Sequence, residues 1–377
     1  MTALKKGPWY NYHDEWKSKA LNYLKYMFDL KTQPEIEAEV KTFLEYNISK
    51  VIFESNLIEG AGLSEGDTRK ILDKFFPQIP PDFFHFREAS INLKDESSLI
   101  SSNSMKLLAN EEQFKLSHKN IIPSISMARK SRKVREVITH YIAILESILL
   151  VNDYVLNKIR NIMFQKLSKN NEPVIIEEGE LRLNIKGVVE FDLFTEDNIK
   201  ALHKTIAKDL LPKDANVKEG EYRIDNRIAG WDITFPSPEL LPKCMDEFFK
   251  LSNQIIDNKM SDIKDPIDAA AKISHHFVKI HPFPDFNGRL SRIIMNMVLM
   301  ASMSPFPVAI RGNKKDRHRY FIAIKRANGG DIKPLSTLIC MQFVQTVDEL
   351  NSHLRLAGLP SVEGLYKTWN SKGKNKT

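Results

Sequence analysis

From Pro34 to Ile58 the apolar residues Ile36, Val40, Phe43, Leu44, Ile48, Val51, Phe53 and Ile58 mostly recur at three- and four-residue steps. That spacing predicts a long amphipathic helix with one buried stripe. Gly60 and Gly62 end it. A second helix is predicted from about Ser64 to Phe75, where Pro77, Pro80 and Pro81 break the chain. Periodicity then fails, and the serine-rich stretch from Lys94 to Ser104 reads as a linker or loop. Helical spacing returns from Ser126 to about Leu167, with Val134, Val137, Ile138, Tyr141, Ile142, Leu145 and Leu149 on one side. A small hairpin is expected between Val174 and Phe194, and Thr195 caps a helix running to about Leu210.

Between Gly220 and Pro238 short apolar runs alternate with Gly and Asx, which predicts a hairpin or extended flap with an open edge. Asp265-Pro266 starts another helix, whose stripe of Ile267, Ala270, Ile273, Phe277 and Ile280 stops at Pro282 and Pro284. A further stripe, Leu290, Ile293, Ile294, Met297 and Val298, predicts a helix that begins near Asn287. The chain thus reads as mainly helical, all-α with a small β-hairpin flap. By pattern it divides into an N-terminal helical segment (1–76), a loop or helical insertion (77–125), a core (126–345), and a C-terminal helix with a basic disordered tail (346–377).

Composition changes this picture little. The 377 residues are 42% hydrophobic and 27% charged, with too few Gly (15) and Pro (18) for a collagen-like or low-complexity chain. The net charge of +7 includes Lys367, Lys372, Lys374 and Lys376 of the polar tail, so a wholesale nucleic-acid binder is not implied. Cys244 and Cys340 are far apart, with no metal-binding spacing, which fits reduced thiols and a cytoplasmic or nuclear protein. No apolar run is long and uncharged enough to span a membrane, so the sequon Asn47-Ile48-Ser49 reads as a chance match on a helix.

The chemistry concentrates after residue 280. His281 ends one helix, Asp285 lies in the loop, and Asn287, Gly288 and Arg289 open the next helix, with Arg292 one turn on. First-turn N–H groups, the positive end of the helix dipole and two guanidiniums together make an anion site that suits a polyphosphate. Asp285 offers a hard oxygen ligand for Mg2+, and His281 has the pKa range of a general base. His275 and His276 lack a zinc-binding frame; one is expected to pack and the other to be exposed. Basic stretches at Arg129–Arg135 and Lys314–Arg326 read as solvated faces, as a docking patch, or as an aid to phosphate steering.

Written out, His281-Pro-Phe-Pro-Asp285-Phe-Asn287-Gly288-Arg289-Leu-Ser-Arg292 resembles the HPFx(D/E)GNGRxxR signature of Fic-domain proteins, and departs from it only at Phe286, where the family usually has Gly. Gly220-Glu-Tyr222-Arg223 through Phe235-Pro236 is similar to the family's flap, and Arg319-Tyr320 through Asn328 and Pro334 to its closing helical segment. Ser55-Asn-Leu-Ile-Glu59-Gly60 matches the family's inhibitory pattern (S/T)xxxE(G/N).

The resemblance implies a Fic fold and transfer of AMP from ATP to a Ser, Thr or Tyr hydroxyl of a target protein, with Mg2+ or alternatively Mn2+. In that reading His281 is the base, Asp285 holds the metal, and Asn287, Gly288, Arg289, Arg292, Tyr320 and Asn328 bind the nucleotide. Ile228, Ala229, Gly230 and Trp231 form the target-docking flap, while Ser55, Glu59 and Gly60 are regulatory, with Glu59 pairing with Arg292 to remove the phosphate clamp. The expected partners are a nucleotide and a target protein, without membrane or nucleic acid; a homodimer is left open. Two alternatives stand beside transfer: removal of AMP, with Glu59 orienting a water, and a non-catalytic interaction module, should Phe286 block the nucleotide. A bulky residue with positive φ at Phe286 would cost roughly 1–2 kcal/mol.

Overall fold

In the computed structural model the chain is described over residues 8–28, 34–75, 130–168, 174–178, 181–185, 187–188, 191–212, 216–229, 233–257, 265–302, 304 and 306–374. Its helices are α1 (His13–Phe28), α2 (Pro34–Ile58), α3 (Glu65–Leu72), α4 (Arg132–Leu167), α5 (Glu196–Ile206), α6 (Leu241–Ile256), α7 (Pro266–Ile280), α8 (Asn287–Ala301), α9 (Lys314–Asn328), α10 (Lys333–Leu356) and α11 (Val362–Lys374). Two short antiparallel pairs interrupt them. β1 (Val174–Glu178) runs against β2 (Leu181–Ile185), and β3 (Ile228–Ala229) against β4 (Ile233–Thr234), with Ile228 opposite Thr234 and Ala229 opposite Ile233.

The centre is the α7–α8 pair. Asp265 starts α7 because its Oδ1 accepts from the N–H groups of Ile267 (3.0 Å) and Asp268 (2.9 Å), while Pro266 occupies a position that needs no donor. α8 is buried around most of its circumference, from Asn287 to Leu299, so it needs cover on every side. α4 and α7 supply most of it, α5 and the end of α2 add to it, and α9 and α10 close over α7. One continuous apolar cluster runs from Ala20 on α1 to Val362 on α11. The boundary drawn at residue 345 falls inside α10, and the segment 77–125 lies outside the described residues.

The C-terminal tail departs from expectation, because it is helical through Lys374 rather than disordered. Its polar composition hides a docking face: Val362 is buried, and the Tyr366 ring meets Tyr26 of α1 at 4.9 Å between centroids. An ion pair one turn apart, Lys367 to Glu363 at 2.6 Å, supports the exposed side. The sequon residue Asn47 is fully buried and donates through Nδ2 to the Pro307 carbonyl at 2.6 Å. Among the described residues no helix is long and apolar enough to cross a membrane.

Phe277 of α7 is fully buried between Phe248 (ring centroids 5.7 Å) and Phe283 (6.4 Å). Phe277→Ala should therefore lower unfolding stability by about 3–5 kcal/mol, measured as a shift of the urea midpoint at constant slope.

Candidate active site

The loop between α7 and α8 is built by main-chain bonds. His281 leaves α7 in the left-handed region, with φ 53° and ψ 58°, and Phe286 caps α8 in the same region, with φ 64° and ψ 3°. Neither is glycine, so both carry backbone strain that the surroundings must hold. The Asn287 side chain does much of that. Its Oδ1 accepts from the Phe283 N–H at 3.0 Å and its Nδ2 donates to the Phe283 carbonyl at 2.7 Å. The Asn287 amide is spent inside the loop, and its first-turn main-chain N–H is what is left for an anion.

Two residues outside the signature complete the loop. His203 of α5 accepts the Gly220 N–H at Nδ1 (2.9 Å), which leaves Nε2–H to donate to the Asp285 carbonyl (3.2 Å). Its ring stacks on Phe283 at 3.8 Å, and burial pushes its pKa down to about 3. Arg223 donates from Nε to the His281 carbonyl at 2.8 Å, and its own N–H donates to the Pro282 carbonyl at 2.9 Å.

The anion site lies on the first turn of α8. Arg292 is 4% exposed; its Nε donates to Ser55 Oγ (2.8 Å), and Nη2 donates to the Ser55 carbonyl (2.9 Å) and to Glu59 Oε1 (2.7 Å). The Arg289 guanidinium sits 3.8 Å over the Phe286 ring, with Glu136 the nearest carboxylate at 3.9 Å. Among the described residues, Nη1 of Arg292 and both Nε and Nη1 of Arg289 are buried without a hydrogen-bond partner. A Cβ at Gly288 would lie 2.5 Å from Glu59 Oε1, so a side chain there would displace the carboxylate from its place beside Arg292. Burial alone would raise the Glu59 pKa, but Arg292, with help from Arg289 and Arg317, outweighs it and holds the carboxyl below its ordinary range.

Glu59 reaches this position because α2 is fixed at its end. Gly60 has φ 67°, the Arg317 Nε donates to the Ile58 carbonyl at 2.6 Å, and the Gly312 N–H donates to Glu54 at 2.7 Å. Arg317 is thus a helix cap rather than a free steering charge. Of its basic neighbours, Arg319 pairs with Asp316 (3.0 Å) and Arg326 with Asp331 (2.9 Å). At the start of α4, Arg132 pairs with Glu136 (3.3 Å) and Arg135 donates to the Asp209 carbonyl (3.1 Å).

A cavity of about 480 Å³ opens beside these groups. Glu59, His281, Gly288 and Arg292 line its polar end, and Phe235, Val278, Tyr320, Phe321, Ile324 and Asn328 line the apolar remainder. His275 Nε2 and Asn328 Oδ1 are 2.8 Å apart, which occupies the amide oxygen and leaves the Asn328 nitrogen as the group for a ligand. Contrary to expectation neither adjacent histidine is exposed, since His275 is buried and His276 half-buried against Phe248. The Phe286 ring is 2% exposed and is not part of the cavity wall. Thr234 and Phe235, at the end of β4, form one wall, whereas Gly230 and Trp231 of the docking flap lie outside the described residues.

The His281 imidazole stacks on Phe235 at 4.1 Å, and its Nδ1 faces the Val278 carbonyl at 3.4 Å. With Nδ1 as the donor, Nε2 is the bare acceptor. Burial lowers its pKa to about 4, with Arg223 acting in the same direction against Glu59 and Asp285. The ring is neutral at pH 7. Among the described residues no group of three or more His, Cys, Asp or Glu side chains could hold a metal ion. Asp285 alone offers a carboxylate oxygen on the loop; its Oδ1 already accepts from the Phe286 N–H at 2.6 Å.

Residues 193–299, which include the whole α7–α8 loop, match the Fic/DOC family. That segment is similar to a Fic domain. The chain is 32% identical over 184 residues to "Protein adenylyltransferase Fic" of Nematostella vectensis, covering 49% of this chain and 40% of that one. The protein of the same name in Drosophila melanogaster is 31% identical over 184 residues, covering 49% and 35%. The chain therefore spans less than half the length of these curated relatives. A Fic domain-containing signaling protein from Bacteroides thetaiotaomicron shares the fold with a TM-score of 0.54 at 17% identity, covering 92% of this chain and 98% of that one. Fic-1 (residues 134–508) from C. elegans has a TM-score of 0.52 at 17% identity, covering 92% and 74%.

Both His281 and His203 stay neutral in the folded chain down to about pH 4 and 3, whereas in the unfolded chain they protonate near 6.5. As pH falls below about 6.5 the unfolded state gains protons that the folded state refuses, so stability should decline by roughly 2 kcal/mol per imidazole by pH 5. Urea midpoints at pH 7.5 and 5 measure this, and His203→Gln should flatten the slope.

Proposed function

We propose that this chain is a protein adenylyltransferase that moves AMP from ATP to a Ser, Thr or Tyr hydroxyl of a target protein, and that Glu59 holds the activity low. The observation that carries the reading is the set of buried guanidinium nitrogens on Arg289 and Arg292 that lack a partner among the described residues, on the first turn of α8, with Arg292 lining the same cavity as the neutral imidazole of His281. Buried donors without a partner point to a missing acceptor, and a polyphosphate is the acceptor that suits two guanidiniums at a helix N-terminus. The names of the curated relatives support the same chemistry.

In this mechanism the first-turn N–H groups of α8 and Arg289 take the inner phosphates, and Arg292 takes the γ-phosphate once Glu59 leaves it. The apolar end of the cavity, with Tyr320 and the Asn328 amide, takes the base. His281 Nε2 accepts the proton of the target hydroxyl as its oxygen attacks the α-phosphorus. The bond from that phosphorus to the bridging oxygen breaks, and pyrophosphate leaves. Asp285 suits a divalent cation such as Mg2+, which usually binds one or two carboxylates together with substrate phosphates and would neutralise their charge there. The open edge of the β3–β4 pair aligns the target by main-chain pairing.

A second reading, removal of AMP from a modified protein, is favoured by the Glu59 carboxylate, which lies in the same cavity as His281 and could orient a water. The burial of the Phe286 ring, outside the cavity wall, weighs against the non-catalytic alternative.

Glu59→Gly frees Arg292 and should raise self-modification by at least about tenfold, since an arginine clamp on a transferring phosphoryl group is worth 10³–10⁵ in rate. Label from α-labelled ATP should appear on the protein and label from γ-labelled ATP should not; transfer of the γ label would overturn the assignment. His281→Ala in the Glu59→Gly chain should abolish transfer while MgATP still binds, as read by calorimetry.

A further inference from the structure

Arg223 is among the largest fully buried side chains of the protein, 1% exposed, and among the described residues its guanidinium has no carboxylate partner. The nearby Asp225 carboxylate pairs with Arg227 instead, at 2.9 Å. The bonds of Arg223 end on main-chain carbonyls from three separate places. Nε donates to His281 (2.8 Å), Nη1 to Asp225 (2.6 Å) and Nη2 to Pro236 (2.5 Å). Asp225 precedes β3 and Pro236 follows β4, so one planar group holds both ends of the flap and the backbone of His281.

Burying an unpaired cation is costly, and an apolar side chain of similar volume would fill the space without that cost. What the guanidinium adds is a rigid fork that fixes three acceptors relative to one another. The flap needs this, because its ladder is only two residue pairs long and two-stranded ribbons are marginal on their own. His281 needs it too, because its left-handed backbone is unfavourable for a non-glycine residue. A second contact joins the same parts: the Phe235 N–H closes the hairpin on the Arg227 carbonyl at 3.4 Å, and the Phe235 ring lies on the His281 imidazole.

We propose that Arg223 is a positioning residue that locks the target-docking flap to the backbone of His281, so that the seat of the target segment and the base move as one body. Arg223 touches neither nucleotide nor reacting atoms. The inference rests on the adenylyltransferase reading of the same site. Binding of MgATP, which belongs to α8, is independent of the lock, whereas transfer to a hydroxyl presented along the flap depends on it.

The test compares Arg223→Gln and Arg223→Lys in the otherwise intact Glu59→Gly chain. The expected result for Arg223→Gln is a dissociation constant for MgATP within about threefold of the parent and a kcat for self-adenylylation lower by roughly 10- to 100-fold, the scale of an ångström-sized misplacement. Arg223→Lys keeps the charge but reaches fewer carbonyls, so its kcat falls in between. Hydrogen exchange should speed up at residues 222–229 and 233–236 and stay unchanged along α8. The proposal is overturned if a folded Arg223→Gln chain transfers AMP at the parent rate, or if MgATP affinity falls as far as kcat does. Should Arg223→Gln fail to fold, Arg223→Lys decides: full transfer with parental exchange overturns the proposal, and slowed transfer with faster flap exchange supports it. A Glu59→Gly parent that transfers nothing would defeat the activity reading; the exchange comparison still decides whether the lock exists.

Discussion

A buried guanidinium is costly without acceptors around it, and Arg292 takes its acceptors from the end of a distant helix. In this structure they are Ser55 and Glu59, reached across 237 and 233 residues of chain. Removing one partner of a buried ion pair usually costs 3–5 kcal/mol, because the remaining charge is left stranded. The carboxylate can therefore leave only if another anion takes its place. In the proposed mechanism the first turn of α8 exchanges the chain's own carboxylate for an acceptor from solution, and the lack of a side chain on Gly288 lets Glu59 approach this closely.

The rest of the site follows from keeping that turn rigid. Asn287 is spent on the loop, His203 holds it from the α5 side, and Arg223 holds it from the flap side. Phe286 shows how a residue that departs from the family pattern is accommodated. Its backbone takes the left-handed conformation that glycine would take freely, and its ring turns under the Arg289 guanidinium, where a stacking contact offsets part of the strain. The same packing keeps the ring out of the cavity.

Much of this was legible in the sequence. The stripes of α2, α7 and α8 fix those helices, since a 3.6-residue period needs no tertiary information, and residues a few positions apart around a helix start share one place in any fold. Arg289 and Arg292 belong to that class. Glu59 became legible only through the second motif, because nothing in the periodicity of α2 says which helix end it will meet. His203 and Arg223 escaped for a physical reason: they act on main-chain carbonyls 82 and 58 residues away, and a carbonyl leaves no mark on the amino-acid type that carries it. The helical tail escaped because Val362, Leu365 and Tyr366 are too few to outweigh the lysines until α1 supplies a surface for them. The segment boundary at 345 failed because α10 continues the apolar face of the core to Leu354 without a break.

If Glu59 and a γ-phosphate compete for the Arg292 guanidinium, calorimetry of ATP and AMP on the intact chain and its Glu59→Gly variant will show it. AMP carries no phosphate that reaches Arg292, so it should bind both proteins alike, whereas ATP should bind the variant more tightly by about tenfold or more. Equal ATP affinity for the two proteins, or a gain shared equally by AMP, would show that Glu59 does not hold the place of a phosphate.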